Sequence, residues 1–537
     1  MTAASRGSWG ALIRRFTVGA AAAWLTLVAG APALCQTVRF SPGEDAPIAL
    51  NSTTNTYEEG ASFDPLVCAE QPCIELLHNI FEPLVTTSPD HEIEPCLAAK
   101  WERRDETTFR FELRRGVRFH NGERFDAGSV RFSLERASKA YGGTAWFPRL
   151  ESVVVVDPYT VDVKLFEPDS LFLYRLSNIG LIAAPLEFRR VGAGEFGHHP
   201  VGTGAFKFVS WDAQKREVIL DRNNDYWRTS YPKIERLVYA YMDQEHALEG
   251  LTNGRLDIIR RLNPRRTTRF MRLGVGKVVK AWLPQLVLGA FNLLKPGTPL
   301  LDVRVRQAIN LAVNRDHLIR YGAIGNGRLF GGYTVPGDPN GADLSPIPFD
   351  PEQSQRLLDE AGLGGGFALS MIVATEVPPQ IEKIIAVSLG RIGISVNVKR
   401  VSEAEFLEQL YLPKFKGGGA PSFDILLLSV PTGTIFHAAM IPMTLLYSRE
   451  PNESLVRDQK IDELYLTGLH TYDQDKEHQI WRRLEEYVAA NNLLFFGYQE
   501  RAVFGANARL RFTPRTLMTF WDAYYEPKAQ EAPGPSN

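Results

Sequence analysis

The stretch Phe109–Arg136, FRFELRRGVRFHNGERFDAGSVRFSLER, decides the fold class of this chain. Its opening residues alternate. Phe109, Phe111 and Leu113 fall on one side and Arg110, Glu112 and Arg114 on the other, the period-two pattern of a half-buried strand. Asn121-Gly122 then supplies a turn in which both central residues can take positive φ. A capped helix follows. Strand, turn and helix packed this closely point to a mixed α/β architecture.

The ends of the chain read differently. Arg14 and Arg15 precede a short Ala-rich apolar run from Phe16 to Gly30, and Ala31-Pro32-Ala33-Leu34-Cys35 offers small residues for cleavage. Residues 1–35 are therefore expected to be a secretory leader, too short and wrongly flanked for a membrane span. Arg14-Arg15-Phe16 leaves twin-arginine export open beside the general route. Leu34 before Cys35 argues against a lipidated cysteine. At the other end, Glu526–Asn537 is polar and Pro-rich, the composition of a disordered tail.

About 500 residues lie between, too many for one hydrophobic core, so at least two lobes are expected. The net charge of −2 leaves no electrostatic footprint for nucleic acid. Cys68, Cys73 and Cys96 are close in sequence, and in an oxidising compartment either Cys68–Cys73 or Cys73–Cys96 is a reasonable disulfide. Zinc would need a fourth ligand that the spacing does not supply.

Along the chain, Val153–Val156, the Asp157-Pro158 turn and Val161–Leu165 read as a hairpin. The second half alternates helix and strand. Asp302 caps a helix whose Val305, Ala308, Ile309, Ala312 and Val313 form one apolar stripe. Asp350-Pro351 starts another helix, ended by Ala361-Gly362. Leu369–Val373, Ile381–Leu389 and Ile394–Val398 make a βαβ unit. Lys416–Ser422 is a flexible loop before an apolar strand, Phe423–Leu428. No HExxH, GxSxG or P-loop occurs. Gly192-Ala193-Gly194-Glu195-Phe196-Gly197 fits GxGxxG, but the following Pro200 and Gly202-Thr203-Gly204 turn argue for a loop, not a nucleotide fingerprint. His198-His199 is better read as solvated than as a metal pair. No cofactor, metal or catalytic residue is expected.

Several of these segments together resemble the peptide/nickel-type bacterial extracellular solute-binding proteins, family 5. Leu113-Arg114, Gly116-Val117, Phe119-His120, Gly122, Phe125, Val130 and Phe132–Arg136 fill that family's LRxGVxFHxGxxF…FSLER pattern. Gly128-Ser129 departs from the usual Glu-Asp. Pro200–Trp227, Gly254–Asp257 and Asp302–Arg315 also resemble family blocks, in order, from about residue 60 to about residue 510. The resemblance implies a two-lobed, periplasmic-binding-protein type II-like fold with an extra subdomain in the first lobe. The layout it implies is 1–35 leader, 36–285 first lobe with a subdomain at about 80–195, 286–495 second lobe, 496–525 a return to the first, and 526–537 tail. It further implies a monomeric, periplasmic substrate-binding component of an ABC importer, handing a small-molecule or short-peptide ligand to membrane permease subunits. A secreted hydrolase and a ligand-presenting sensor are the competing readings.

Carried over by position, the ligand-binding segments are Ala69-Glu70-Gln71, the strand after Asp257 leading to Arg260 and Arg261, and the second-lobe loop beginning Ser429-Val430-Pro431-Thr432. Trp146, Tyr241 and Asn292 complete the expected set. Family peptide binders have Gly-Trp-x-x-Asp in that loop, with the acid facing the peptide's α-amino group. Ser429–Thr434 has neither Trp nor Asp, which puts a standard peptide terminus in doubt, since a buried ammonium needs a carboxylate. The run from Arg255 to Lys280 is strongly basic, and Arg260-Arg261 suit bidentate capture of an anionic group on the ligand.

Overall fold

The computed structural model describes residues 36–527 apart from 44–47, 52–55, 60–61, 68–70, 90–91, 142–146, 148, 261, 263, 403–404, 406–420, 432–436 and 449–453. The leader and residues 528–537 of the tail lie outside the described residues.

The chain opens with β1 (Thr37–Ser41), the middle strand of a first sheet, and α1 (Gln71–Leu77). It then departs to build a separate unit from β2 (Ala98–Arg103), β3 (Thr108–Leu113), α2 (Ala127–Tyr141), β4 (Leu150–Asp157) and β5 (Thr160–Leu165). These strands form an antiparallel sheet in the order β2-β3-β5-β4. The alternation that announced β3 is real: Phe109, Phe111 and Leu113 are buried, while Arg110 is bound through both Nε and Nη2 to Asp162 on β5 at 2.7 and 2.8 Å. The turn beyond differs from expectation. Only Gly122 takes a left-handed φ, +87°. The segment closes through Phe119 N–H to Glu123 O (2.8 Å) and Gly122 N–H to Phe119 O (2.8 Å), a loop needing one left-handed residue.

Two helices follow, α3 (Phe172–Ile179) and α4 (Pro185–His198). The second overturns the loop expected at 192–197. Pro185 at the first turn fixes helical φ, and the helix runs through the Gly-rich run by kinking at Gly192, whose φ of +81° only glycine adopts freely. The chain then returns to the first sheet with β6 (Phe206–Asp212), β7 (Glu217–Arg222), β8 (Arg236–Ala240), β9 (Ile258–Ile259) and β10 (Gly276–Ala281).

A second sheet begins with β11 (Gln285–Phe291) and includes β12 (Gly327–Arg328), β13 (Phe367–Ala374), β14 (Ile394–Val401), β15 (Ile425–Pro431) and β16 (Leu494–Glu500), in the order β12-β16-β11-β15-β13-β14. Its helices start where local chemistry says they should. Asp302 accepts from Arg304 N–H at 2.9 Å to open α5 (Val303–Ala312), and Asp350 accepts from Gln353 N–H at 2.8 Å to open α6 (Pro351–Glu360). β13, α7 (Pro379–Gly390) and β14 form the expected parallel βαβ unit. Two further helices, α8 (Gln459–Leu469) and α9 (Gln474–Ala490), cover this sheet, with Trp481 fully buried beneath them.

β17 (Ala502–Asn507) carries the chain back between β9 and β10, giving a first sheet of order β6-β7-β8-β1-β9-β17-β10. Glu526, expected as the first residue of the tail, is held in place. That residue's carbonyl accepts from Arg509 at 2.7 Å and its carboxylate pairs with Arg511 at 2.5 Å. Cys73 is disulfide-bonded and Cys96 is a buried free thiol, which removes the Cys73–Cys96 pairing from the expected alternatives. Among the described residues no helix is long and apolar enough to cross a membrane.

Candidate functional site

The two sheets are joined by two short crossings. Residues 282–284 connect β10 to β11, and Arg501 alone connects β16 to β17. Register places the crossings side by side: Ala281 pairs with Ala502 on one side and Leu286 with Gln499 on the other. Gln499 Nε2 donates to Leu283 O at 3.0 Å, and Trp282 lies between the guanidinium groups of Arg328 and Arg501, 4.7 and 5.1 Å from its ring centroid. Few backbone bonds thus separate two cores that are otherwise built from different strands, the construction of a hinge.

The carboxyl ends of strands converge near these crossings, the usual place for a ligand in open α/β sheets. β1 and β9 end together, Ser41 opposite Ile259, and β15 ends at Pro431 opposite Gln285, the first residue after the crossing. Arg260 follows β9 directly. It is buried, pairs with the fully buried Glu75 of α1, and donates from Nη2 to Thr516 O at 3.0 Å. Its charge therefore already has an internal carboxylate partner, so it is not the open anion fork that the sequence suggested.

Other expected positions separate into three groups. Ala69, Glu70, Trp146, Arg261 and Thr432 lie outside the described residues, and Gln71 is the first residue of α1. Ser429 Oγ accepts from Gln285 Nε2 at 2.8 Å beside the crossing, Val430 is half-buried against the second core, and Pro431 closes β15. Tyr241 and Asn292 are both buried. Tyr241 is a core residue, stacked on Tyr239 at 6.3 Å and edge-on to Trp211 at 6.2 Å. Asn292 is fully buried, with Nδ2 donating to Pro421 O and Phe423 O, both at 2.8 Å, and Oδ1 accepting from Leu294 N–H. Its amide is spent on holding the chain ahead of β15.

Next to Leu283 and Thr516 the structure holds a cavity of about 280 Å³, also lined by His78, Glu82, Arg228 and Trp521. The sequence reading missed its central residue. Glu82 accepts from Tyr226 Oη at 2.7 Å, Trp227 Nε1 at 2.9 Å and Thr203 Oγ1 at 2.9 Å, tying the chain after α1 to the two distant blocks Gly202–Gly204 and Tyr226-Trp227. Burial raises its pKa against the pull of these donors and of the Arg228 charge. A lone carboxylate inside the apolar run Ile80–Val85 was the available signal, since such a group must find donors. Arg228 is sandwiched between Trp227 and Trp521, at 4.6 and 4.7 Å. His78 is neutral: burial lowers its pKa to about 4, and Nε2 sits 2.8 Å from Asn178 O. Taken together, the hinge and the converging strand ends can close over a solute, while the cavity beside them is lined from the first lobe, its subdomain and the crossing residue Leu283.

Comparison with known proteins agrees with this geometry. The family described as bacterial extracellular solute-binding proteins, family 5 middle, matches residues 92–425. The glutathione-binding protein GsiB of Pectobacterium atrosepticum is 25% identical over 93% of this chain and 98% of its own length. Among solved structures, the periplasmic binding protein DppA of Helicobacter pylori in complex with the peptide STSA superposes with a TM-score of 0.79 at 22% identity, covering 91% of this chain and 98% of that one. The dipeptide-binding protein of Pseudoalteromonas sp. SM9913 in complex with Met-Leu gives 0.78 at 18% identity, covering 91% and 100%.

Proposed function

The chain belongs to the family 5 bacterial extracellular solute-binding proteins, and from that premise we propose that it is the substrate-binding component of an ABC importer, taking a peptide-sized solute between its lobes. The observation that carries the reading is the pair of adjacent crossings, at 282–284 and Arg501, beside which the carboxyl ends of β1, β9 and β15 meet. A solute that touches both lobes stabilises the closed form by its differential affinity for it, and is released to permease subunits unchanged.

The ligand class is a short peptide or a peptide-like molecule of similar size, supported by the glutathione-, STSA- and Met-Leu-binding proteins it resembles. In this reading Ala69-Glu70-Gln71, Trp146, Arg261 and Ser429–Thr432 face the solute, and Arg261 is the cation for an anionic group. The leader directs export and is cleaved near residues 33–35, which places the mature chain in the periplasm. The lobes divide at the two crossings, which moves the expected boundaries: residues up to 281 and from 502 lie on one side and 285–500 on the other. The protein is not an enzyme.

Thermal unfolding of the mature chain with glutathione, dipeptides and tripeptides, paired with mass spectra of the solute, tests this. A binding solute at about a hundred times its Kd stabilises the fold by about 2.7 kcal/mol and is recovered intact. Consumption of the solute, or no stabilisation across the panel, refutes the reading.

A further inference from the structure

A second junction between the lobes lies away from the crossings. It is made by the segment Glu167–Arg175, which leads from β5 into α3, and by α8 and α9 with the turn between them. Ser170 N–H donates to Leu469 O at 2.8 Å, and Ser170 Oγ donates to Gly468 O at 3.3 Å. Asp169 N–H donates to Tyr472 Oη at 2.9 Å, and Arg175 Nη2 reaches Tyr465 Oη at 3.5 Å.

The packing is reciprocal. Leu171 is fully buried in the second lobe's core, whereas the next residue, Phe172, is fully buried in the subdomain's core. In return Tyr472 leaves the second lobe to pack on the subdomain, 6.1 Å from the Phe109 ring, with the Arg103 guanidinium 3.9 Å over its face. Among the described residues Leu171 is the one buried first-lobe side chain in that second-lobe cluster. One knob, one exchanged tyrosine and a few hydrogen bonds form a contact that can separate without unravelling either core.

The junction also reaches the loop after β15. His437, the residue that follows 432–436, is buried with its ring 5.6 Å from Tyr174 of α3 and 5.3 Å from Trp481 of α9, and its Nε2 lies 3.4 Å from the Glu477 carboxylate. α3 therefore bears on the exit of the segment that carries Ser429–Thr432.

We propose that this junction is a latch: Leu171, Ser170 and Tyr472 hold the lobes closed without ligand, and Tyr174 against His437 extends it toward the second lobe's core. The inference rests on the two-lobed binding reading, since a latch needs lobes that part. It makes closure a property of the chain itself, which the solute then reinforces.

The test is made without ligand. Nitroxide labels at Val155→Cys on β4 and Val387→Cys on α7, both at exposed positions, report the distance between subdomain and second lobe, and small-angle scattering reports overall size. The unlatched protein is expected from Leu171→Asp, with a longer and broader distance distribution and a larger radius of gyration. Tyr472→Phe deletes one acceptor and is expected to raise the open-to-closed ratio about two- to tenfold. It decides the matter should Leu171→Asp not fold. Wild-type distances and scattering in Tyr472→Phe, or an already open wild type, overturn the latch. Failure of the ligand panel alone leaves these distances unaffected, so the two proposals fall separately.

Discussion

Replacing Glu82 is the sharpest test of the packing around the first-lobe cavity. Glu82→Ala strips an acceptor from Tyr226 Oη, Thr203 Oγ1 and the half-buried Trp227 Nε1, and from the weak donor Cys96 Sγ at 3.8 Å. Each orphaned donor costs about 1–3 kcal/mol. The full sum is not reached, because the two hydroxyls rotate and the neighbouring cavity, about 280 Å³ and partly polar, admits water to the vacated space. Trp227 Nε1 cannot rotate and depends on that water alone. The expected loss is about 2–4 kcal/mol for Glu82→Ala, and about half that for Glu82→Gln, which keeps an acceptor oxygen.

The pH dependence separates charge from shape. Burial raises the Glu82 pKa above its ordinary 4.5, so the carboxyl binds its proton more tightly folded than unfolded. The stability it contributes is therefore full below about 4.5 and falls as pH rises through the raised value. Glu82→Gln lacks that slope, so its deficit against wild type shrinks with rising pH. Urea unfolding followed by tryptophan fluorescence at several pH values measures both quantities. A Glu82→Ala deficit under about 1 kcal/mol, or a Glu82→Gln deficit that widens with pH, would refute the reasoning.

Two other outcomes are expected. Glu75→Gln removes the carboxylate held by Arg260, and because both side chains are buried the cost is about 3–5 kcal/mol in urea unfolding, against under about 1 for an exposed pair. The double variant Glu75→Leu/Arg260→Met recovers most of it, and equal deficits in single and double variants would contradict an internal pair. His78 and His120 are both half-buried, each beside a backbone carbonyl, with pKa values lowered by desolvation to about 4 from 6.5. Each contributes stability above pH 6.5 that is lost as pH falls toward 4, about 3 kcal/mol apiece. His78→Gln/His120→Gln flattens that part of the stability–pH curve, and an unchanged curve contradicts neutral imidazoles.

What the sequence disclosed was local. β3 could be read because alternation is written in adjacent residues, and the caps Asp302 and Asp350 because a carboxylate two or three residues ahead of its donor needs no distant partner. The helix through Gly192 escaped because glycine-rich runs ordinarily break helices, and only the backbone shows a kink absorbing the break. Arg260 was placed rightly beside the strand ends and misjudged in its chemistry, because Glu75 stands 185 residues earlier in the chain. Asn292 was expected among the ligand-binding positions, and its amide instead meets the carbonyls of Pro421 and Phe423, more than a hundred residues later in the chain. Glu82 was passed over for the same reason: its donors come from two blocks read separately.

The placement of β17 has a consequence for biosynthesis. This strand, made almost last, fills the gap between β9 and β10 in the sheet that the first residues began. By residue 500 every strand of the second sheet exists, so the later-made lobe can mature first. The amino-terminal lobe must wait, with bare edges on β9 and β10 until residues 502–507 arrive. Chains cut short ahead of Ala502 expose those edges permanently, and edge-to-edge self-association is the fate expected of such fragments.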